Sequence, residues 1–248
     1  MTRMHDFFAG LEYGGRPFQL FGTPHLTAFG IIVLLNIALI VVRQTTSETL
    51  RLWIRYGLVL VLLVNETLYH VWRAATHQWT IQEMLPLHVC TIMVYLSAIM
   101  LLTKNKTLYH YLYFLGIGAA MQALITPNAG QWGFPHFRFF QTMASHGAIV
   151  LAAVYMTLVE RYRPHLKELG KIFIGMNIYA ALVQCVNIAI GSNYLWIGRK
   201  PEVATAIDYL GPWPWYILSM EAIGIVTCLV LYLPFAIIDW RKKHRQST

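Results

Sequence analysis

Leu-Pro-Leu-His-Val-Cys at positions 85–90 sets an imidazole and a thiol two residues apart. In a regular helix such residues differ by ~200° about the axis, so His88 and Cys90 point away from each other. A reactive Cys90 then needs its base from another element, because a free thiol titrates near about 8.5 and apolar surroundings raise that value. The densest polar stretch is Gly133-Phe-Pro-His-Phe-Arg-Phe-Phe-Gln-Thr-Met-Ala-Ser-His146. Within it positions 138, 142 and 146 share roughly one helical face. His146 is the candidate base for Cys90. Arg138, nearer the water boundary, either snorkels or holds a phosphate through its bidentate fork, and His136 and Gln141 supply further polar contacts.

Glu66, Tyr69, His70 and Arg73 follow the three-and-four spacing of one helix face. Glu66 can reach His70 one turn on, either as a structural pair or as the carboxylate that orients a site histidine. Gly118, Gln122 and Thr126 recur at intervals of four before Pro127 and Asn128 end the segment. The glycine permits close helix approach, and Gln122 can bond across the interface or, with Thr126 and His88, donate to an oxyanion.

Three chemistries compete for these groups. The first is a cysteine nucleophile with a histidine base. The second is a zinc hydrolase drawing three ligands from His70, His88, Cys90, His136 and His146, although neither His-Glu-x-x-His nor a paired-cysteine spacing occurs. The third is a non-enzymatic transporter or receptor that uses the same buried charges, in a transporter as a substrate or proton path. The cysteine reading requires no metal and no organic cofactor. Cys185 and Cys228 have no polar neighbour at helical spacing and read as small apolar fillers.

The elements that must position these groups are membrane helices. The 248 residues are 57% hydrophobic and 12% charged, against about a quarter charged in soluble domains. Apolar runs long enough for a hydrocarbon core of ~30 Å occur near 24–43, 54–76, 84–103, 108–126, 139–160, 169–191 and 214–239. The sequence therefore predicts an all-α polytopic bundle of seven spans in one integral membrane domain, residues 1–248. A short interfacial segment precedes the spans at 1–23, and a basic tail follows at 241–248. Pro86 is placed in the first turn of the third span, and no removable signal peptide is indicated.

The net charge of +8 is an orientation signal rather than a nucleic-acid footprint. Arg43, Arg51, Arg55, Lys104, Lys106, the Arg161–Lys171 group and the Arg241–Arg245 run fall on one side. Arg3, Arg16, Arg73, Arg138, Arg199 and Lys200 fall on the other. The richer side is cytoplasmic, so the N-terminus is expected outside and the C-terminus inside. In that orientation His25, His70, His88, Cys90, Arg138, His146 and Glu221 all lie toward the outer leaflet. Of the ten histidines, His110, His165 and His244 alone lie inward. Such segregation points to one polar cavity where several helix ends meet.

The segments LPLHVC (85–90), ALITPN (123–128) and FPHFRFFQTMASHG (134–147) resemble the bacterial YwaF-like membrane proteins, relatives of the eukaryotic transmembrane protein 164 family. The resemblance implies a multi-pass protein of the bacterial cytoplasmic membrane that acts on phospholipid or lysophospholipid acyl groups. Carried over by position, Cys90 is the acyl carrier and His146 the base. Many bacterial relatives have an acidic residue after the cysteine, whereas this chain has Thr91. Glu66 is then the nearest candidate for a supporting carboxylate.

Overall fold

The computed structural model describes residues 6–44, 47–127, 129–201 and 206–245. Among them there is no strand. The long helices are α1 Thr23–Gln44, α2 Glu48–Ala75, α3 Val89–Thr103, α4 Lys106–Ile125, α5 Phe137–Leu158, α6 Leu169–Ile190 and α7 Trp215–Arg245. All but α3 are long and apolar enough to cross a membrane. The chain is a multi-pass membrane protein.

α3 differs from the sequence expectation. It is 15 residues long and begins at Val89, not at 84. Leu85 precedes Pro86, a position that disfavours the α conformation. Distant tyrosines then hold the stretch open: Tyr194 accepts a bond from Leu85 N–H at 2.8 Å, and Tyr179 donates to the Leu87 carbonyl at 2.9 Å. His88 is the extended N-cap residue, with φ −70° and ψ 148°. It never joins the helix of Cys90, so helix geometry does not set the two side chains ~200° apart. At the other end of the chain, α7 carries the basic run Lys242–Arg245 as its last helical turn.

Side-chain ties fix the alternating direction of the helices. At one end His25 at the start of α1 bonds the Leu124 carbonyl at the end of α4 (2.8 Å). There also Asn65, late in α2, donates to the Gln141 carbonyl early in α5 (3.1 Å). At the opposite end Lys104 pairs with Glu160 (2.8 Å), the Tyr162 hydroxyl donates to the Lys104 carbonyl (2.7 Å) and Tyr155 donates to the Arg51 carbonyl (3.0 Å). We refer to these as the Cys90 end and the Lys104 end.

α5 is the central helix, packed against α1, α2, α3 and α4. Small residues let its neighbours approach: Gly147 lies under Ile32 of α1, and Gly116 of α4 under Ile149. Gly118 sits where a Cβ would stand 3.1 Å from Thr227 of α7, the close helix approach expected of a small residue at that position. The outward faces of α1, α6 and α7 carry Ile31, Leu34, Ile178, Leu182, Val226 and Val230 exposed, as lipid-facing stripes require. One turn of α4, Leu112–Gly116, is a π-helix that widens the helix opposite α3 and α5.

The interfacial segment expected before α1 is packed onto the Cys90 end. Phe8 and Ala9 carbonyls accept from Trp72 Nε1 (2.9 Å) and His136 Nε2 (2.9 Å), and the Gly10 carbonyl from Trp132 Nε1 (3.2 Å). Two backbone bonds continue the contact, Gly133 N–H to the Arg16 carbonyl and Phe18 N–H to the Gly130 carbonyl, both 3.1 Å. A Cβ on Gly133 would stand 2.4 Å from the Pro17 carbonyl and 2.5 Å from that of Arg16, and backbone cannot rotate aside. Gly133→Ala is therefore expected to cost about 1–3 kcal/mol. The check is a lowered thermal midpoint together with faster proteolysis between residues 8 and 18.

Candidate functional site

α2, α3 and α5 bring the sequence-predicted residues to the Cys90 end. Cys90 is half-buried in the first turn of α3, on the stripe continued by Val94, Ser97 and Leu101, which are buried. α3 and α5 run in the same direction and pack together. They are pinned at the Lys104 end by the Lys104–Glu160 pair. Cys90 precedes Lys104 by 14 residues, and His146 precedes Glu160 by 14. At ~1.5 Å per residue Cys90 stands roughly 20 Å from the end of α3 and His146 roughly 18 Å from the end of α5, a similar depth on adjacent helices. No hydrogen bond joins Cys90 Sγ to another group among the described residues.

His146 has a defined proton arrangement. Its Nδ1 lies 2.8 Å from the Thr142 carbonyl. A carbonyl only accepts, so Nδ1 carries the hydrogen and the neutral ring presents a lone pair at Nε2. His88 has the opposite tautomer. Leu195 N–H approaches its Nδ1 at 3.4 Å, a long contact that leaves the hydrogen on Nε2. Tyr194 and Trp196 flank the ring, with centroids 5.2 and 5.0 Å away.

Glu66 is buried, 5% exposed, with Oε1 3.5 Å from His70 Nε2. Trp79 Nε1 donates to His70 Nδ1 at 3.0 Å, so His70 holds its proton on Nε2, facing the carboxylate. Arg138 lies with its guanidinium 4.3 Å from the centroid of Tyr69 and donates to Gln141 Oε1. No carboxylate pairs with it among the described residues. Tyr69 belongs to the turn of α2 that carries Glu66 and His70, so Arg138 lies beside that turn. A half-buried cation over an aromatic face, with open N–H groups, is suited to an anionic oxygen.

Other predicted residues have different positions. His136 is 1% exposed and spends both ring nitrogens inside the protein, Nε2 on the Ala9 carbonyl and Nδ1 on Arg138 N–H (3.0 Å). Burial holds its imidazole below the usual range, with Arg138 acting in the same sense and the Ala9 bond against it. It caps α5. Gln122 and Thr126 are exposed at the end of α4, and the Thr126 hydroxyl donates to the Gln122 carbonyl (3.0 Å). Asn128 lies outside the described residues. His70, His88, Cys90, His136 and His146 do not gather as a metal site: no group of three metal-binding side chains converges among the described residues.

The TMEM164 family matches residues 20–232. The chain belongs to the TMEM164 family. The match includes every predicted site residue and all seven helices as far as Tyr232 of α7. No curated protein matches, and no solved structure matches.

Asn187, three residues after Gln184 on α6 of this TMEM164-family chain, makes a tie that helical spacing alone does not reveal. It is buried, accepting from Tyr194 N–H (2.8 Å) and Ser192 Oγ (2.7 Å) and donating to the Tyr194 carbonyl (3.0 Å). It thereby holds the loop whose Tyr194, Leu195 and Trp196 surround His88. The nearby Gly191 after an apolar run is a helix-end signal, but the partner of Asn187 lies in tertiary structure. Two recesses of about 300 Å³ open elsewhere, one beside Asn187 and Arg199 and one at the Lys104 end.

Proposed function

We propose that the protein is a membrane enzyme that moves phospholipid acyl groups through Cys90 and His146, with seven crossings and the Cys90 end toward the outer leaflet. The observation that carries this reading is the shared depth of the two residues on packed parallel helices, with Nε2 of His146 left as a lone-pair base. Membership of the TMEM164 family supports it.

In the reaction, His146 Nε2 takes the thiol proton of Cys90. The thiolate adds to the ester carbonyl of a phospholipid, and His88 Nε2–H donates to the oxyanion. Collapse of the tetrahedral intermediate breaks the ester C–O bond. The imidazolium returns its proton to the departing lysolipid alkoxide, and the acyl group remains on Cys90 as a thioester. A lysolipid hydroxyl then gives its proton to His146 and attacks the thioester. The new ester leaves, and the Cys90 thiol is restored. Water in place of that hydroxyl turns transfer into hydrolysis. Arg138, over Tyr69, holds the lipid phosphate, and the Glu66–His70 pair balances the charge of Arg138 while that phosphate is absent.

The test is intact-mass spectrometry of the purified protein after exposure to a phospholipid donor without acceptor. A hydroxylamine-labile acyl adduct that maps to Cys90 is expected. An adduct elsewhere, or none in a preparation that turns over lipid, would overturn the reading.

A further inference from the structure

We infer that the recess at the Lys104 end is a second binding site, selective for a phosphate monoester, on the opposite side of the protein from Cys90. The recess has a volume of about 290 Å³ and is lined by Lys106, His110, Glu160, Arg161, Arg163 and His165 with two tyrosines. That volume is at the small end of ligand pockets, large enough for a headgroup and too small for acyl chains. The inference does not depend on the acyl-transfer reading.

Charge accounting within the recess leaves two cations unanswered. Glu160 is neutralised by Lys104 from outside the recess (2.8 Å). Arg163 is neutralised by Asp239 (2.6 Å) and also donates to the Phe235 carbonyl (3.2 Å). Lys106 lies over the Tyr162 ring at 5.9 Å, and neither Lys106 nor Arg161 has an ion pair among the described residues. Glu168, near His110, is paired with Lys171 (3.0 Å).

Two further observations separate the recess from a generic basic membrane edge. The His110 and His165 rings face each other at a tilt of 37° with centroids 5.5 Å apart, and His110 Nε2 is buried with no hydrogen bond of normal geometry among the described residues. Two imidazoles beside two free cations match a dianion that needs several donors. Arg161 also occupies the left-handed region, φ 58°, where α5 ends with Glu160 N–H on the Tyr155 carbonyl and Tyr162 N–H on that of Met156. Glycine is the residue ordinarily favoured there. An arginine carries a conformational cost at this position that its place in the recess wall would explain.

The test uses the full chain in phosphatidylcholine nanodiscs and compares retention of phosphatidic acid, a monoester, with phosphatidylglycerol, a diester, by native mass spectrometry. Retention of phosphatidic acid about tenfold above phosphatidylglycerol is expected. It should fall about as much in Lys106→Gln/Arg161→Gln, two exposed positions, and in His110→Gln alone. Lys242→Gln/Lys243→Gln, which removes basic charge outside the recess, should leave it unchanged. Competition by soluble glycerol 3-phosphate identifies a soluble phosphorylated ligand, and its failure to compete identifies a lipid headgroup. Equal retention of both lipids with no glycerol phosphate binding, or retention unaffected by the recess variants, overturns the site and leaves these residues as orientation charges.

Discussion

Cys90→Ala is expected to reduce acyl transfer to background, a loss of at least about 10³-fold, because the thioester intermediate then cannot form. Cys90→Ser should fall nearly as far, since an alkoxide is much harder to generate than a thiolate with the same base. The controls are built into the chain. Cys228 is 1% exposed on α7, and Cys185 is exposed on α6; neither lies on α3. Cys185→Ala and Cys228→Ala should retain transfer within about twofold, and a small loss of thermal stability is expected for Cys228→Ala, where a buried sulfur is removed. The measurement is exchange of labelled acyl chains between phospholipid and lysophospholipid in proteoliposomes. Full exchange by Cys90→Ala would end the nucleophilic mechanism.

His146→Gln is expected to lower transfer by about 10²–10⁴-fold, the usual contribution of a positioned base. The side-chain amide can still donate to the Thr142 carbonyl, which His146 Nδ1 approaches at 2.8 Å, so the local turn of α5 should survive while the lone pair at Nε2 is lost. A structural role and a chemical one separate in alkylation of Cys90 by a neutral reagent. On the proposed mechanism His146 takes the Cys90 proton as the reagent adds, so the parent protein should alkylate readily at neutral pH. In the variant the thiol must ionise unaided, so the alkylation rate should be low at neutral pH and rise about tenfold per pH unit until the thiol titrates. Unchanged alkylation with lost transfer would move His146 from base to substrate positioning. Unchanged transfer would remove it from the mechanism.

Sequence periodicity locates the helices well because lipid-facing stripes leave a strong signal. Observed α1, α4, α5 and α6 begin and end within two residues of the expected spans. α2 begins six residues early because Ser47 caps it, accepting from Leu50 N–H. The α3 boundary fails for a different reason: the Tyr179 and Tyr194 bonds that hold Leu85–Leu87 out of the helix come from about 100 residues away. A local reading of Pro86 sees only an acceptable first turn. Among site residues, the Glu66–His70 contact follows from i,i+4 spacing. The engagement of both His136 nitrogens does not, since one partner is Ala9, 127 positions earlier. The π turn at Leu112–Gly116 likewise has no local residue that signals it. The placement of Arg138 over Tyr69 also joins two helices that no periodicity relates.

The docking of residues 8–18 on the loop before α5 has a consequence for biosynthesis. Its partners, Gly130, Trp132, Gly133 and His136, lie more than 100 residues downstream. At about 5–20 residues per second, a ribosome needs roughly 6–25 s after making Ala9 to produce His136. During that interval Phe8 and Ala9 have carbonyls but none of these acceptor-seeking side chains to bind except Trp72. The Cys90 end of a nascent chain therefore stays open until α5 enters the membrane, and translational pausing between α4 and α5 would lengthen that exposure.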